Sequence, residues 1–465
     1  MASQPTLIIQ LRRLGDLILT FPLLLALQKN RPGNTPFVVA KTEFFKGLLP
    51  FAPAATFFPA SELPRLTKLS CDAVFNFGGS PLAANITAQI DSPLKFGEIR
   101  DKDQTHISGF WELYRAALTH NNRHNLFHWA DLNRLNMLAE QAWPRHLLQK
   151  RPKTGRIGLF IGASEITKRP DAHFWSSLAR RLLRKGLKPI ILGGPAEKDE
   201  GAIIARESGL EKGNFCGKTE LPQLAHILKS LDLLVTPDTG PMHLADWLGT
   251  PVLNLSMGNV NADETGPLTK GQIIVRADMS CVGCWGCNRA KLHCHRAFSP
   301  GKIETLIDYC LDNKNPVPQD LHGLEILRAE LDSRGLRILK KLQPGKESAR
   351  EALSLFWKQA FLHLYFNDEK SRQQFQTAAA HLAREHSPLF STLQKQLARL
   401  PLPLLALIKT SKPLPDSFWQ NQAPHSRFFA GWLHMRMQND NFSRSAIAQA
   451  LENIEELAKA AASVS

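Results

Sequence analysis

No stretch of this 465-residue chain reaches the roughly 18 consecutive apolar residues that a membrane-spanning helix needs. The opening MASQPTLIIQLRRLGD lacks a basic leader followed by an apolar core and a small-residue cleavage site. A secretory signal is therefore not expected, and the cytoplasm is the expected compartment. The GASEITKRP loop (162–170) does not fit GxxxxGK[ST], and no GxGxxG follows the first apolar run. The first absence argues against a P-loop nucleotidase and the second against a nicotinamide enzyme. Clustered positive charge is missing too. The formal net charge is +15, yet residues 1–150, 151–310 and 311–465 each carry an excess of five. Nucleic-acid proteins concentrate basic residues on one element and interleave aromatics, so that class is set aside. An even excess suits anionic substrates or an anionic membrane surface.

What is present is an ordinary globular composition, 43% apolar and 21% charged, in a chain long enough for two or three domains. Residues 1–150 alternate strand and helix. Thr6–Leu11 reads as a strand, Asp16–Lys29 as a helix, and Phe37–Ala40 and Ala73–Phe77 as further strands, with Asp101–Asn136 more helical and irregular. WPRHLLQKRPKTG (143–155) supplies a boundary. A second alternating segment, 151–312, follows, with strands at Ile157–Ile161, Lys188–Leu192, Leu233–Val235, Pro251–Leu255 and, as its last, Gln272–Arg276. The expected fold is α/β, two facing Rossmann-like domains. Residues 313–465 read as an all-α extension, with helices at Leu321–Leu342, Ala349–Tyr365, Ser371–Glu385 and Arg444–Ala461 and a proline-punctuated connector at 401–415. Trp357, Phe361, Leu364, Tyr365 and Trp432 are expected to pack a core.

Polar residues gather where strands give way to helices, the edge at which open parallel sheets bind ligands. In DLLVTPDTGPMHLADWLGTPVLNL (232–255), Asp238, Thr239, Gly240 and His243 surround a helix start that Pro241 opens. That start suits a phosphate, and it equally suits a plain helix cap. Arg12-Arg13-Leu14-Gly15-Asp16 places a carboxylate able to take a proton from a hydroxyl, or to serve only the helix dipole. The loop 162–175 offers Ser164, Lys168 and Arg169 to a phosphate, or is a solvated loop. LGGPAEKDE (192–200) puts Glu197 where ribose hydroxyls are held, or merely acidifies a first helical turn. Cys281, Cys284, Cys287 and Cys294 fall within fourteen residues, with His293 and His295 beside them. This spacing fits a tetrahedral zinc site, an iron–sulfur cluster or reduced thiols.

Together these pieces resemble the heptosyltransferases of lipopolysaccharide core assembly, glycosyltransferase family 9. The resemblance rests on LRRLGDLILTFPLLLALQ (11–28), the Lys168–Trp175 loop, GGPAE (193–197), GKTELPQLAHIL (217–228), TPDTGPMHLADWLGTPVLNL (236–255) and the cysteine stretch, and covers about residues 5–310. It implies a B-type glycosyltransferase fold with an amino-terminal acceptor domain, a nucleotide-sugar domain and no divalent metal in catalysis. Asp16 would be the general base and Lys168, helped by Ser164, would neutralise the leaving diphosphate. Asp238, Thr239, Gly240 and His243 would hold diphosphate and sugar, with Asp238 on the sugar because a carboxylate repels phosphate, and Glu197 would bind the ribose. The partners implied are a nucleotide-sugar donor, plausibly ADP-heptose, and a lipid-linked or oligosaccharide acceptor, with peripheral contact at the anionic inner membrane and no nucleic acid. Two other readings stay open: a non-catalytic nucleotide-sugar-binding scaffold whose helical tail recruits partners, and a redox protein centred on the cysteines. The tail departs from the family.

Overall fold

The computed structural model describes residues 4–102, 104–137, 148, 153–281, 284, 286–287, 292–312, 316–319, 321–410 and 414–462. Most of the expected boundary at 143–155 lies outside them. The chain divides into two compact units, Met1–Leu94 with Phe127–Pro344, and Lys95–Leu126 with Gly345–Ser465.

The first unit contains two sheets built on parallel strands. In the amino-terminal one, β1 (Thr6–Gln10), β2 (Phe37–Ala40), β3 (Thr56–Pro59) and β4 (Ala73–Asn76) run parallel in the order β3-β2-β1-β4. Every residue of β1 and β4 is buried, as apolar strands with helices on both faces require. The helices Leu14–Ile18 and Phe21–Asn30 replace the single helix expected over Asp16–Lys29. β3 has no counterpart in the sequence reading, its exposed Thr56 and half-buried neighbours marking an edge strand.

A second hairpin pair, β5 (Lys95–Asp101) and β6 (Gln104–Ser108), belongs to the other unit and is antiparallel. In the second sheet β7 (Arg156–Phe160), β8 (Lys188–Leu192), β9 (Leu233–Pro237), β10 (Val252–Ser256) and β11 (Ile273–Ala277) are parallel, ordered β11-β10-β9-β7-β8. The order reverses between β7 and β9, and the crevice outside such a reversal is where doubly wound sheets hold ligands.

The helix expected at Leu321–Leu342 is instead a hairpin. β12 (Leu324–Leu331) pairs antiparallel with β11, and β13 (Arg337–Lys341) pairs antiparallel with β12. Leu321, Leu324, Leu327 and Leu331 recur at helical spacing, which explains the misreading. In the fold the period is two. Leu324 and Ile326 join the main core of this sheet, while Leu327 and Ala329 pack with Ala262 and Ile274 on the opposite face. The turn is set by Asp332, whose carboxylate accepts the Arg334 and Leu336 N–H groups, and by Gly335 at φ +74°. Asp-x-x-Gly was the available signal. The segment after residue 312 therefore adds two strands to the second sheet before the helical part begins.

The second unit is otherwise helical: Phe110–Ala117, Ala349–Phe366, Glu369–Glu385, Ser387–Arg399, Pro401–Thr410, Asp416–Gln420, Arg427–Asn439 and Arg444–Ala462. Residues 401–410, read as connector, form a helix. The first N–H groups of a helix have no partner to lose, so prolines at 401 and 403 are tolerated there. Trp357, Phe361 and Trp432 are buried as expected, with Phe110, Tyr114 and Phe428 against them, whereas Leu364 and Tyr365 are only half-buried. No helix among the described residues is long and apolar enough to cross a membrane.

Candidate active site

The two halves of the first unit meet where their first cleft helices touch. Gly15 begins this contact: a Cβ there would stand 2.7 Å from His243 Cδ2, and one on Gly240 would stand 3.0 Å from Leu14. Phe21 and Trp247 add an edge-to-face contact at 5.2 Å, and Trp247 Nε1 donates to the Phe51 carbonyl at 2.8 Å. Such ring pairs contribute about 0.5–1.5 kcal/mol beyond area burial.

Beside this joint lies a cleft of about 490 Å³, lined among others by Asp16, Ser164, Lys168, Glu197, Asp238, Thr239, Gly240 and His243. All eight residues expected on the acceptor and donor sides thus come together from four strand-to-helix loops. Asp16 is both a cap and a cleft residue. Its Oδ2 accepts the Arg13 N–H at 3.1 Å, closing the first turn of Leu14–Ile18. Arg13 reaches over the cleft, its Nη1 donating to Ser164 Oγ at 3.4 Å. Lys168 pairs with Glu165 at 3.0 Å. That hydrogen bond, with help from Asn259 and the Arg13 charge, holds the Glu165 carboxyl below its ordinary range. Arg169 does not line the cleft: it binds Glu200 at 2.5 Å and the Ile161 carbonyl, so of the two basic residues Lys168 and Arg169 only Lys168 lines it. Glu197 Oε2 accepts the Gly194 N–H at 2.8 Å.

The β9 loop is the more heavily engineered side. Thr239 caps Gly240–Trp247, accepting the Met242 N–H at 3.4 Å, so the cap reading and the cleft reading both apply. Asp238 caps nothing; its Oδ2 accepts the Thr265 hydroxyl. Burial pushes Asp238 up to about 6, Thr265 and the Lys168 charge oppose this, and Asp16 across the cleft pushes it further up. His243, buried and reinforced by the Arg337 charge, is pushed down to about 4. It is therefore neutral at pH 7. Its Nε2, 3.8 Å from Asp238 Oδ1, makes a polar contact and no ion pair.

Sequence reasoning missed a fifth loop. Asn259, Asn261, Glu264 and Thr265, from the turn after β10, also line the cleft. The polar run GNVNADET directly after an apolar strand was the available signal. Gly258 ties this loop to the Lys168 loop. It sits at φ +70°, and a Cβ there would fall 2.2 Å from the Thr167 carbonyl oxygen, which only glycine permits.

The cysteines occupy a neighbouring cavity of about 190 Å³, lined by Cys281, Cys284, Cys287, Cys294 and His293. All four thiols are free, and burial and the neighbouring cysteines push Cys284 up, against thiolate formation. His295 faces away from this duty, its Nε2 on the Thr167 carbonyl at 2.8 Å. Among the described residues no group of three or more His, Cys, Asp or Glu is arranged to hold an ion. Four cysteines around one cavity are the thiol donors that a zinc or iron–sulfur centre would take, and no step of the reaction is routed through one. The cysteine loop is also not followed by the end of the sheet, since β12 and β13 come after it.

Two Rossmann-like halves with a polar cleft at the carboxyl edges of their strands define the two-domain glycosyltransferase architecture. The solved structure of E. coli ADP-heptose lps heptosyltransferase II superimposes with a TM-score of 0.52 at 17% identity, over 67% of this chain and 99% of that one. A family 9 glycosyl transferase from Veillonella parvula gives 0.52 at 18% identity, over 67% and 98%. The sequence model of glycosyltransferase family 9 (heptosyltransferase) matches residues 122–293. Among curated relatives, lipopolysaccharide heptosyltransferase 1 of Pseudomonas aeruginosa is 30% identical over 26% of this chain and 34% of its own length. Lipopolysaccharide core heptosyltransferase OpsX of Haemophilus influenzae is 24% identical over 55% of this chain and 79% of its own. The chain thus spans about a third of the first of these relatives.

Proposed function

We propose that this chain is an inverting glycosyltransferase that moves a sugar, heptose from ADP-heptose, to a lipopolysaccharide-type or related glycan acceptor. The observation that carries this reading is the convergence of all eight expected residues on one cleft. In the reaction, an acceptor hydroxyl oxygen attacks the anomeric carbon of the donor. The bond from that carbon to the β-phosphate oxygen breaks, ADP leaves, and the hydroxyl proton passes to Asp16. The anchor from Arg13 N–H to Asp16 fixes the base, since general-base catalysis needs its carboxylate within hydrogen-bond reach of the proton. Lys168 meets the growing diphosphate charge, aided by the N–H groups at the start of Gly240–Trp247. Ser164 and Thr239 add hydroxyl contacts to the phosphates, and Glu197 takes the ribose. Asp238 and neutral His243 hold sugar hydroxyls, a role that fits an uncharged ring better than phosphate binding does.

The relatives' description as lipopolysaccharide heptosyltransferases and the even positive excess support an anionic, lipid-linked acceptor reached at the inner membrane's cytoplasmic face. The test is a transfer assay with purified protein, ADP-heptose and lipopolysaccharide-core acceptors. Product that forms with the wild type and disappears with Asp16→Ala supports the reading. Absence of any Asp16-dependent product overturns it.

A further inference from the structure

We propose that Arg337 is a positioning residue for the donor side of the cleft, acting through the turn Ala262–Pro267 to hold Thr265 against Asp238. The proposal rests on the reading of Asp238 as a sugar-holding group. Arg337 opens β13, outside the five parallel strands, and does not itself line the cleft. It is 2% exposed. Its Nε donates to the Pro267 carbonyl at 3.0 Å, and its Nη1 donates to the Ala262 carbonyl at 2.9 Å and the Asp263 carbonyl at 3.3 Å. One guanidinium thus gathers carbonyls from both ends of a six-residue turn. Gly266 makes room for it, since a Cβ there would come within 2.7 Å of Nη2.

The same turn is gripped from the other side. His128 is fully buried, and its Nδ1 accepts the Ala130 N–H at 3.2 Å. The proton of the neutral ring is therefore on Nε2, which donates to the Gly266 carbonyl at 2.8 Å. Asp131, three residues on, accepts the Arg337 backbone N–H at 2.8 Å and fixes the start of β13. Thr265 stands in the turn so held, and its hydroxyl donates to Asp238. A buried guanidinium is a poor device for stability alone, because an apolar side chain of like volume does as well or better. Its five donors in a fixed fork are suited to holding several carbonyls in one geometry.

Calorimetry on the full chain with ADP and with ADP-heptose tests this. A residue that only supports the fold weakens both ligands alike, whereas one acting on the sugar-holding carboxylate weakens ADP-heptose selectively. Arg337→Met is expected to weaken ADP-heptose by about tenfold, the scale of one hydrogen bond to a charged group, with ADP binding unchanged. Thr265→Val is expected to do the same, and the double variant to be no weaker than either, since both remove one linkage. Equal losses on the two ligands, or losses that multiply in the double variant, overturn the proposal. Arg337→Lys, which keeps the charge and loses the fork, replaces Arg337→Met if the latter does not fold, with the same expectation. If the wild type binds neither ligand, the functional reading fails, and carbon NMR of the Asp238 carboxyl in the unliganded protein decides. Titration shifted upward in Arg337→Lys, which keeps the positive charge that itself holds Asp238 down and loses only the fork, supports positioning, and an unchanged titration overturns it.

Discussion

The two sides of the cleft use the same device, a loop between a buried parallel strand and a helix, to different ends. On the β1 side a short helix, Leu14–Ile18, presents one half-buried carboxylate held by a single backbone N–H. On the β9 side Asp238 and His243 are packed among Thr265, Lys168 and the Gly15 helix, and both titrate far from their ordinary values. The difference fits the roles proposed for the two sides. A base that meets an incoming acceptor needs access, whereas groups that hold a donor gain from being fixed beforehand, because ordering costs paid in the fold are not paid again on binding.

The sharpest break of this contrast is Asp16→Asn. It keeps an oxygen for the Arg13 N–H and removes the base, so kcat should fall by about 10²–10⁴-fold while ADP-heptose affinity measured by calorimetry stays unchanged. Equal losses in both would place Asp16 on the donor side instead. Lys168→Ala reverses the pattern. Losing a charged partner to the diphosphate should weaken donor binding by roughly 10–100-fold, the worth of a charged hydrogen bond, with Glu165 left without its cation. Gly15→Ala tests the joint itself. Its Cβ would meet the His243 ring at 2.7 Å, and overpacking of this kind costs about 1–3 kcal/mol, read as a lower melting temperature together with weaker donor binding.

The smallest effect is the most diagnostic. Asp238 sits near 6 in the fold, above its value of 3.8 in the unfolded chain, so the folded state binds the extra proton between these pH values and stability falls as pH rises through that window. Asp238→Asn should then stabilise the protein at pH 7 by about 2 kcal/mol or less and leave it unchanged below pH 4, while abolishing the fall in donor affinity expected as the wild type is acidified through pH 6. His243 works the opposite way. Its folded value near 4 lies below 6.5, so the unfolded chain takes up a proton first and stability is lost as pH falls from 6.5 towards 4. Melting temperatures of Asp238→Asn and His243→Gln, each relative to the wild type, should therefore diverge in opposite directions across pH 4–8.

Much of the site was legible because its residues follow strands. Asp16, Ser164, Lys168, Glu197 and the 238–243 group each sit one short loop after an apolar run, and in parallel sheets those loops share an edge. Arg169 looked equivalent to Lys168 in the sequence; only the fold sends it to Glu200. Thr265 and Asn259 were missed because their polar loop, despite Asp263 and Glu264, matches no recognised binding motif. The β12–β13 hairpin was missed because leucines at 321, 324, 327 and 331 satisfy a helical period while alternate residues satisfy a strand, and a short apolar run does not distinguish the two until its neighbours cover both faces.

The sequence alone therefore determined much of the sequence-local part of this protein: which runs form the parallel strands that end at the cleft, which loops there are polar, and that a carboxylate, a lysine and a helix start stand at their ends. Those features depend on residues within one turn or one strand of each other. Tertiary structure decided what is set over longer separations. It brought Gly15 against His243, raised Asp238 by burying it, made His243 neutral, and carried Arg337 from beyond the parallel strands to the turn that holds Thr265. Burial and long-range hydrogen bonds fix charge and position, and neither is a property of any one segment.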